Sequence, residues 1–216
     1  MESVQVKELS CSYGKRKIID TISFSVPQGA CMAVLGDNGC GKSTLLQVLA
    51  GIKKQSAGEV LFFGKAAQKE DFRTRVGYVP QENMLVENCS VLDNLCLWYQ
   101  DRKELAESME NGFLKEFGVT QMAGLSCARL SGGMKKKVSI ACALAGKPDI
   151  LLLDEPCAAL DLSSKKRLRT YLQEYANTGH TVIFATHEEA DFAICTQMIK
   201  IEKGKCIQYE WKRDME

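Results

Sequence analysis

Apolar positions along the chain follow two periods, and each period predicts a different kind of element. Over roughly the first sixty residues they alternate with polar ones in "SVQVKELSCSY" and "TISFSV", as in half-buried strands. The run "ACMAVLG" is continuously apolar, which is typical of a strand buried on both faces. In "KSTLLQVLAG" the apolar residues instead share one helical side, and Gly51 suits a helix C-cap.

The remaining pattern predicts alternating strands and helices around one long helical stretch. Short strands are predicted at "GEVLFFG", "RVGYVP", "DILLLDEP" and "TVIFATH", with a final hairpin at "MIKIEKGKCIQY". Helices are predicted at "VLDNLCLWYQ", "ELAESMENGFLKEFG", "MKKKVSIACALAG" and "SSKKRLRTYLQEYANTG". This order predicts a parallel α/β core that is divided by a helical insert of roughly fifty residues.

Composition and charge are those of an ordinary globular protein. The 216 residues are 45% hydrophobic, and 28 basic residues are almost matched by 27 acidic ones. We therefore expect no basic surface stripe that would bind nucleic acid. We interpret the cluster Lys135–Lys137 as a solvated helix face. The length fits one large domain or two tightly joined lobes.

The cysteines and the apolar runs indicate an intracellular protein that does not cross a membrane by itself. The ten cysteines lie at least seven residues apart, so no C-x-x-C pair exists, and we expect most to be buried, reduced thiols. The N-terminus lacks the apolar region of a signal peptide. No run approaches the roughly 18 apolar residues of a membrane-spanning helix.

The stretch "GDNGCGKST" predicts a nucleoside triphosphate site. It fits G-x-x-x-x-G-K-[ST] and has a predicted strand before it and a predicted helix after it. Its glycines let backbone N–H groups point at phosphate oxygens, Lys42 reaches the β- and γ-phosphates, and Ser43 is a ligand for Mg²⁺. The candidate nucleotide-binding residues are Gly36, Asp37, Asn38, Gly39, Cys40, Gly41, Lys42, Ser43 and Thr44.

Two acidic residues after the strand "ILLL" indicate hydrolysis. Asp154 is placed to hold Mg²⁺ through water, and Glu155 is placed to polarise a water for attack on the γ-phosphate. A phosphotransferase would instead need a site for a substrate hydroxyl.

A second anion-binding turn is predicted at "LSGGMKKKVSIACAL". Ser131, Gly132 and Gly133 form a donor-rich turn at the start of a helix. One nucleotide does not need two such turns in one chain, whereas two chains packed head-to-tail would use both.

With these motifs in order, the sequence resembles the ATP-binding subunits of ABC transporters over essentially all 216 residues. The order is "GDNGCGKST", "YVPQE", "LSGG", "LLLDEP", "ALD" and "ATHEEA". The resemblance implies a P-loop NTPase core with a mostly parallel sheet, an N-terminal antiparallel β subdomain and an inserted α-helical subdomain. It places the core at about 1–83 and 146–216, the helical subdomain at about 84–145, and ATP and Mg²⁺ as cofactors.

The resemblance also implies roles for residues outside the phosphate loop. Tyr13 would stack on adenine, unless it is an ordinary strand-end tyrosine. Gln81 would touch Mg²⁺ or the attacking water, and His187 would hydrogen-bond the γ-phosphate; these two, with Glu155 and Lys42, make the predicted catalytic set. Asp161 would contact the opposing subunit, although it also suits the N-cap of a helix.

The departures from the family pattern concern the direction of transport more than ATP hydrolysis. Met134 stands where the family usually has glutamine and Ala158 where it usually has serine, and neither position supplies a nucleophile or metal ligand. "LSGGMKKK" resembles exporter subunits that pair with a separate membrane protein. Only 29 residues follow His187 (216 − 187), so we expect no regulatory domain of the sugar-importer kind. Export is therefore the predicted direction.

The expected partners are a second ATP-binding subunit, identical or not, and an integral membrane permease, with no nucleic acid. The protein would lie in the cytoplasm, held on the inner face of the membrane by that permease. Two alternatives stay open: a soluble ABC-type ATPase that acts by ATP-gated dimerisation, and a P-loop kinase. The first usually carries a second cassette or a long coiled coil, and "LSGG" with Gln81 and His187 argues against the second.

Two local expectations follow from the same motifs. Cys40 lies beside Lys42 and a helix N-terminus, so it is the cysteine expected to react first, unless it turns inward as a small hydrophobe. The stretch "ENMLVENCSVLDNLCLWYQ" is expected to receive the membrane partner through Met84, Leu85, Val86, Trp98 and Tyr99, unless these pack into the helical lobe.

Overall fold

The computed structural model describes residues 1–99 and 101–209. Its strands are β1 (Glu2–Tyr13), β2 (Arg16–Pro27), β3 (Cys31–Leu35), β4 (Ala57–Phe62), β5 (Lys65–Ala66), β6 (Val76–Val79), β7 (Ile150–Asp154), β8 (Thr181–Ala185), β9 (Gln197–Glu202) and β10 (Lys205–Gln208). Its α-helices are α1 (Lys42–Leu49), α2 (Lys69–Thr74), α3 (Val91–Cys96), α4 (Arg102–Glu110), α5 (Gly112–Glu116), α6 (Gly132–Leu144), α7 (Leu162–Asn177) and α8 (Glu189–Phe192). Two 3₁₀ turns lie at Thr120–Met122 and Cys127–Arg129.

The strands form two sheets, as the sequence predicts. The antiparallel sheet has the order β2-β1-β4-β5, and the six-stranded sheet has the order β10-β9-β3-β8-β7-β6. Within the second sheet all neighbours are parallel except β9 and β10, which form the predicted hairpin. The fold is therefore an α/β core with a mostly parallel sheet and an antiparallel β subdomain.

Both faces of the parallel sheet are covered, which explains the continuously apolar strands. Side chains alternate between the faces. From β3, Cys31 and Ala33 point into one hydrophobic cluster, which includes α6 and α7, while Met32 and Val34 point into a second cluster with α1 and the antiparallel sheet. A polar residue on either face of β3 would therefore be buried.

Between β6 and β7, the regular elements of the described residues are helices. The predicted helix "ELAESMENGFLKEFG" is two helices, because Asn111 has an extended backbone and Gly112 takes a positive φ of 63°. The first helix of this stretch was predicted to reach Gln100, which lies outside the described residues, and α3 ends at Cys96. The division into a core and a helical subdomain stays a prediction. Residues 210–216, the last of the predicted core, also lie outside the described residues.

The interpretation of three solvated lysines is wrong for the middle one. Lys136 is 2% exposed, whereas Lys135 and Lys137 on the same helix are partly exposed. The sequence pattern misses this because a helix turns by roughly 100° per residue, so consecutive residues face different surroundings.

The expectation that most cysteines are buried holds for only half of them. All ten are free; five are buried, four are intermediate and Cys96 is exposed. Among residues 1–99 and 101–209, no helix has both the length and the apolar character needed to cross a bilayer.

Candidate nucleotide site

Four loops that carry predicted site residues emerge at one edge of the parallel sheet. The phosphate loop follows β3, Gln81 follows β6, Glu155 follows β7 and His187 follows β8. These four strands are consecutive in the sheet order β3-β8-β7-β6 and run parallel. Because parallel strands place their carboxyl ends at one edge, residues far apart in sequence meet there.

The phosphate loop depends on glycine at its first position. Gly36 has φ 139°, and a Cβ there would lie 2.4 Å from the carbonyl oxygen of Ile201 and 2.6 Å from Sγ of Cys40. A side chain is therefore excluded by both backbone conformation and space. Cys40 is partly buried and packs on the second hydrophobic cluster, which supports the alternative that it acts as a small hydrophobe.

Lys42 lies inside the loop that it is predicted to serve. It is 6% exposed, and its Nζ donates to the carbonyl oxygens of Gly36, at 2.7 Å, and Asp37, at 3.1 Å. Gly41 occupies the N-cap of α1 and offers no side chain to the first amides of the helix, whose first turn has no acidic residue. A cation and unpaired amides thus converge, which is the arrangement that binds phosphate.

Asp154 and Ser43, the predicted metal ligands, lie together. Asp154 is 2% exposed at the end of β7, and Ser43 hydrogen-bonds its carboxyl group. Burial raises the pKa of Asp154, and the Ser43 hydrogen bond and the charges of Lys42 and Lys136 oppose that rise. A hard cation held between the carboxylate and the hydroxyl would relieve the cost of burying the charge.

Glu155 is held from both sides by the other predicted catalytic residues. Nε2 of Gln81 donates to Oε2 of Glu155 at 3.1 Å, and Nε2 of His187 lies 3.3 Å from Oε1. Glu155 has φ 48°, a left-handed backbone that is unusual for a residue with a side chain. Its main-chain N–H donates to the carbonyl oxygen of Ala185 on β8, which fixes this conformation to the sheet.

A buried ionic network, which the sequence reasoning missed, supports the loop that carries His187. Asp191 accepts hydrogen bonds from Nε of Arg169, at 2.5 Å, and from the hydroxyl of Thr186. Arg169 also donates to Glu188 at 2.7 Å, and Lys165 pairs with the same carboxylate at 2.6 Å. The loop is thereby tied to α7. Thr186 and Glu188 lie in "ATHEEA", but no motif indicated Lys165, Arg169 or the pairing itself, which joins elements about twenty residues apart.

Tyr13 lies at the end of β1 with its ring half exposed. It is 51% exposed, and Nζ of Lys53 lies 3.4 Å from the centre of its ring. Tyr13, Arg16 and Ile18 all line one cleft, and Lys53 is not part of its lining. Arg16 and Ile18 had no signal in the sequence beyond their nearness to Tyr13.

One cleft joins the tyrosine to the catalytic residues. Its volume is about 620 Å³, and residues that line it include Tyr13, Gly39, Lys42, Ser43, Gln81, Glu155 and His187. The cleft therefore brings together the predicted base-stacking, phosphate-binding and catalytic side chains. His180 is a loop residue between α7 and β8, and its ring stacks on Tyr175.

The second anion-binding turn, Ser131–Gly133, is called the signature turn, and it lies outside the lining of this cleft, as far as the described residues show. Ser131 and Gly132 are exposed, and Ser131 caps α6 by accepting from the N–H of Met134 at 3.3 Å. At Gly133 a Cβ would lie 2.6 Å from the carbonyl oxygen of Ala159, so glycine lets the turn pack closely on the segment before α7.

Asp161 has the helix-capping role that the sequence left open. Its Oδ1 accepts from the N–H of Ser164 at 2.8 Å, and its Oδ2 accepts from the hydroxyl of the same serine at 2.7 Å. The neighbouring hydroxyl of Ser163 also donates to Oδ1, at 2.6 Å. These bonds hold the pKa of Asp161 well below its ordinary value.

The arrangement fits a nucleoside triphosphate with Mg²⁺. Lys42 and the start of α1 suit the phosphates, and the Ser43–Asp154 pair suits the metal ion. The carboxylate of Glu155 lines the same cleft, where it suits a water nucleophile. The fold and the cleft define the class of P-loop nucleoside triphosphatases.

Within that class, the chain belongs to the ABC transporter family. The model of this family, described as "ABC transporter", matches residues 19–158. The linearmycin resistance ATP-binding protein LnrL of Bacillus subtilis is 32% identical in an alignment that covers 98% of this chain and 70% of that protein. The sulfate/thiosulfate import ATP-binding protein CysA of Synechococcus elongatus is 32% identical over 95% of this chain. The chain covers 61% of that protein's length.

Solved structures show the same fold. The dimeric ATP-binding cassette MJ0796 with ADP and phosphate superposes with a TM-score of 0.86 at 24% identity, covering 97% of this chain and 99% of that one. The cassette cbiO1 of Clostridium perfringens, part of a transporter complex, gives a TM-score of 0.80 at 31% identity. That match covers 95% of this chain and 87% of cbiO1.

Proposed function

We propose that this chain is an ATP-binding and ATP-hydrolysing subunit that dimerises around two ATP·Mg²⁺ and drives a separate membrane-spanning partner. The observation that carries hydrolysis is the position of Glu155. Its carboxylate contacts Gln81 and His187 at 3.1 Å and 3.3 Å, in the cleft that the phosphate loop lines.

The residues have separate roles in this reaction. Lys42 and the loop amides bind the phosphates. Ser43, Asp154 and Gln81 would hold Mg²⁺, which would neutralise charge on the phosphates. Glu155 accepts the proton of the attacking water, while Gln81 and His187 orient the carboxylate and contact the water or the γ-phosphate. Tyr13 stacks on adenine.

Dimerisation is supported by the exposed signature turn. Ser131 and Gly132 present a helix N-terminus to solvent, outside the lining of the cleft in their own chain. In a head-to-tail dimer of identical or related chains this turn and Asp161 would face the partner's nucleotide. The similar cassette MJ0796 is described as dimeric, with ADP and phosphate bound.

A surface after Gln81 suits the membrane partner. Met84 is 79% exposed, Val86 46% and Trp98 59%, which is more apolar area than a loop in water needs. Leu85 and Tyr99 instead pack partly against the first hydrophobic cluster, which supports the alternative that these two residues belong to the helical lobe. Docking at this surface would hold the subunit on the cytoplasmic face of the membrane.

Charge substitution tests this surface. Met84→Glu and Val86→Glu should leave the ATPase activity of the isolated subunit unchanged and abolish binding to the permease in a pull-down. Leu85→Glu should destabilise the subunit instead. Retained binding by the first two variants would contradict the assignment.

For the direction of transport we propose export, which rests on Met134 in the signature. The named relatives include one import protein and one resistance protein. Transport in inside-out vesicles that contain the subunit and its permease tests this choice, because the subunit and added ATP are then outside and the lumen corresponds to the cell exterior. Export should appear as ATP-dependent accumulation of substrate in the lumen, and ATP-dependent release from preloaded vesicles would contradict it.

The hydrolytic role is tested by Glu155→Gln. This variant should bind ATP and turn it over about 10²-fold more slowly, the scale of a lost general base. Because the γ-phosphate stays intact, a dimer should accumulate on a sizing column in ATP. The control is Glu189→Gln, an exposed residue two positions after His187, which should keep full turnover. Full turnover by Glu155→Gln would refute the proposal.

A further inference from the structure

Lys136 is a buried lysine, so its charge does not lie on the solvent-exposed face of α6. It is 2% exposed, and its Nζ donates to the carbonyl oxygens of Pro80, at 3.1 Å, and Gln81, at 2.9 Å. Its neighbour Lys135 forms an ion pair with Glu87 at 2.6 Å, and the Glu87 side chain is 64% exposed. Consecutive lysines of α6 therefore have different surroundings.

Burying an ammonium group is costly, so its partners matter. Burial lowers the pKa of Lys136, and the charges of Asp154 and Glu155 oppose this shift. A buried amine stays charged only where hydrogen bonds and negative groups compensate for lost water. Here the compensation comes from two carbonyl oxygens of the Gln81 loop and from the two carboxylates of the site.

The carbonyl groups that Lys136 binds lie just after β6, beyond the end of the strand at Val79. Carbonyl groups outside a ladder need another donor when they are buried. One turn further along α6, the hydroxyl of Ser139 donates to Oδ1 of Asn83 at 3.1 Å. The Gln81 loop is therefore fastened to one face of α6 at two points.

The main chain of Gln81 is thus held by Lys136 while its side chain donates to Glu155 at 3.1 Å. A loop that shifted would move the amide away from the carboxylate, since the two contacts belong to one residue. We propose that Lys136 is a positioning residue for ATP hydrolysis, which acts by fixing Gln81 against Glu155. This inference rests on the proposed function.

The same lysine links two sites along one helix. α6 begins at Gly132, directly after Ser131, which is the turn proposed to face the partner's nucleotide. Lys136 is therefore about one turn from the signature and in direct contact with the loop of its own chain's Gln81. The proposal concerns only the contact between Lys136 and Gln81 within one chain.

The test is a double-mutant cycle read by ATPase kinetics. Lys136→Met should lower kcat about 10²-fold, the scale of a misplaced catalytic group, with KM for ATP changed less than about 2-fold. The control Lys135→Met removes a lysine of the same helix whose partner is at the surface, and it should stay within about 2-fold of the wild-type kcat. In a Gln81→Ala background, Lys136→Met should have no further effect on kcat.

The outcomes separate the hypotheses. Full kcat in Lys136→Met, or an equal loss in both backgrounds, would overturn the positioning role. If Lys136→Met does not fold, Lys136→Gln, which retains an amide donor, takes its place in the cycle. If neither folds, Lys136 is structural and the proposal is overturned. Failure of Glu155→Gln to slow turnover would refute hydrolysis at Glu155 itself, which is a distinct result.

Discussion

Removing Arg169 should destabilise the protein far more than removing an exposed arginine. The Asp191 side chain is 2% exposed and its partner Arg169 18% exposed, at a distance of 2.5 Å. Breaking a buried pair from one side costs about 3–5 kcal/mol, because the remaining charge stays buried. Since Arg169 is not fully buried, we expect the lower end, about 3 kcal/mol, for Arg169→Met. For a protein of this size that loss corresponds to a fall in Tm of about 6–12 °C.

The assay is unfolding followed by circular dichroism, by heat and by urea. The matched control is Arg73→Met, since Arg73 pairs with Glu70 at 3.5 Å and both side chains are about 70% exposed (72% and 69%). Such a pair is worth about 0–1 kcal/mol, so Tm should hardly change. Adding Asp191→Asn to Arg169→Met should restore part of the stability, because it removes the unpaired buried charge. Equal Tm values for the Arg169 and Arg73 variants would refute this reasoning.

Three further predictions concern the cleft and the cysteines. Asp154→Asn should abolish Mg²⁺-dependent ATP binding yet raise the Tm of the nucleotide-free protein. Burial raises the pKa of this carboxyl, so its cost to stability is absent below the ordinary pKa of aspartate, grows as pH rises from that value to the folded pKa, and is fully present above it. An equal Tm for the variant and wild type at pH 8 would contradict this. Tyr13→Ala should weaken ATP binding about 10-fold, since base stacking on an aromatic ring is worth about 1–3 kcal/mol. Tyr13→Trp should retain the affinity, and titration calorimetry measures both variants. Maleimide should label the exposed Cys96 before the partly buried Cys40 by mass spectrometry, and the reverse order would restore the reactive-loop interpretation.

The amino-acid sequence by itself determined the local structures. α1 ends as its glycine predicts, with Gly51 at φ 69° and its N–H donating to the carbonyl oxygen of Val48 at 3.0 Å. The cap at Asp161 is equally local. Each depends on backbone preferences and side chains within a few residues, which a linear pattern contains.

Only the tertiary structure decided how the catalytic group assembles. Gln81 and Glu155 are 74 residues apart, and they meet because β6 and β7 are neighbours in the sheet. Strand order depends on burial summed over both hydrophobic clusters, which no single segment records. The three adjacent lysines show the same limit, because burial of Lys136 depends on a loop that lies 55 residues away in the chain. Periodicity shows which residues can share a face of a helix, and packing decides what that face contacts.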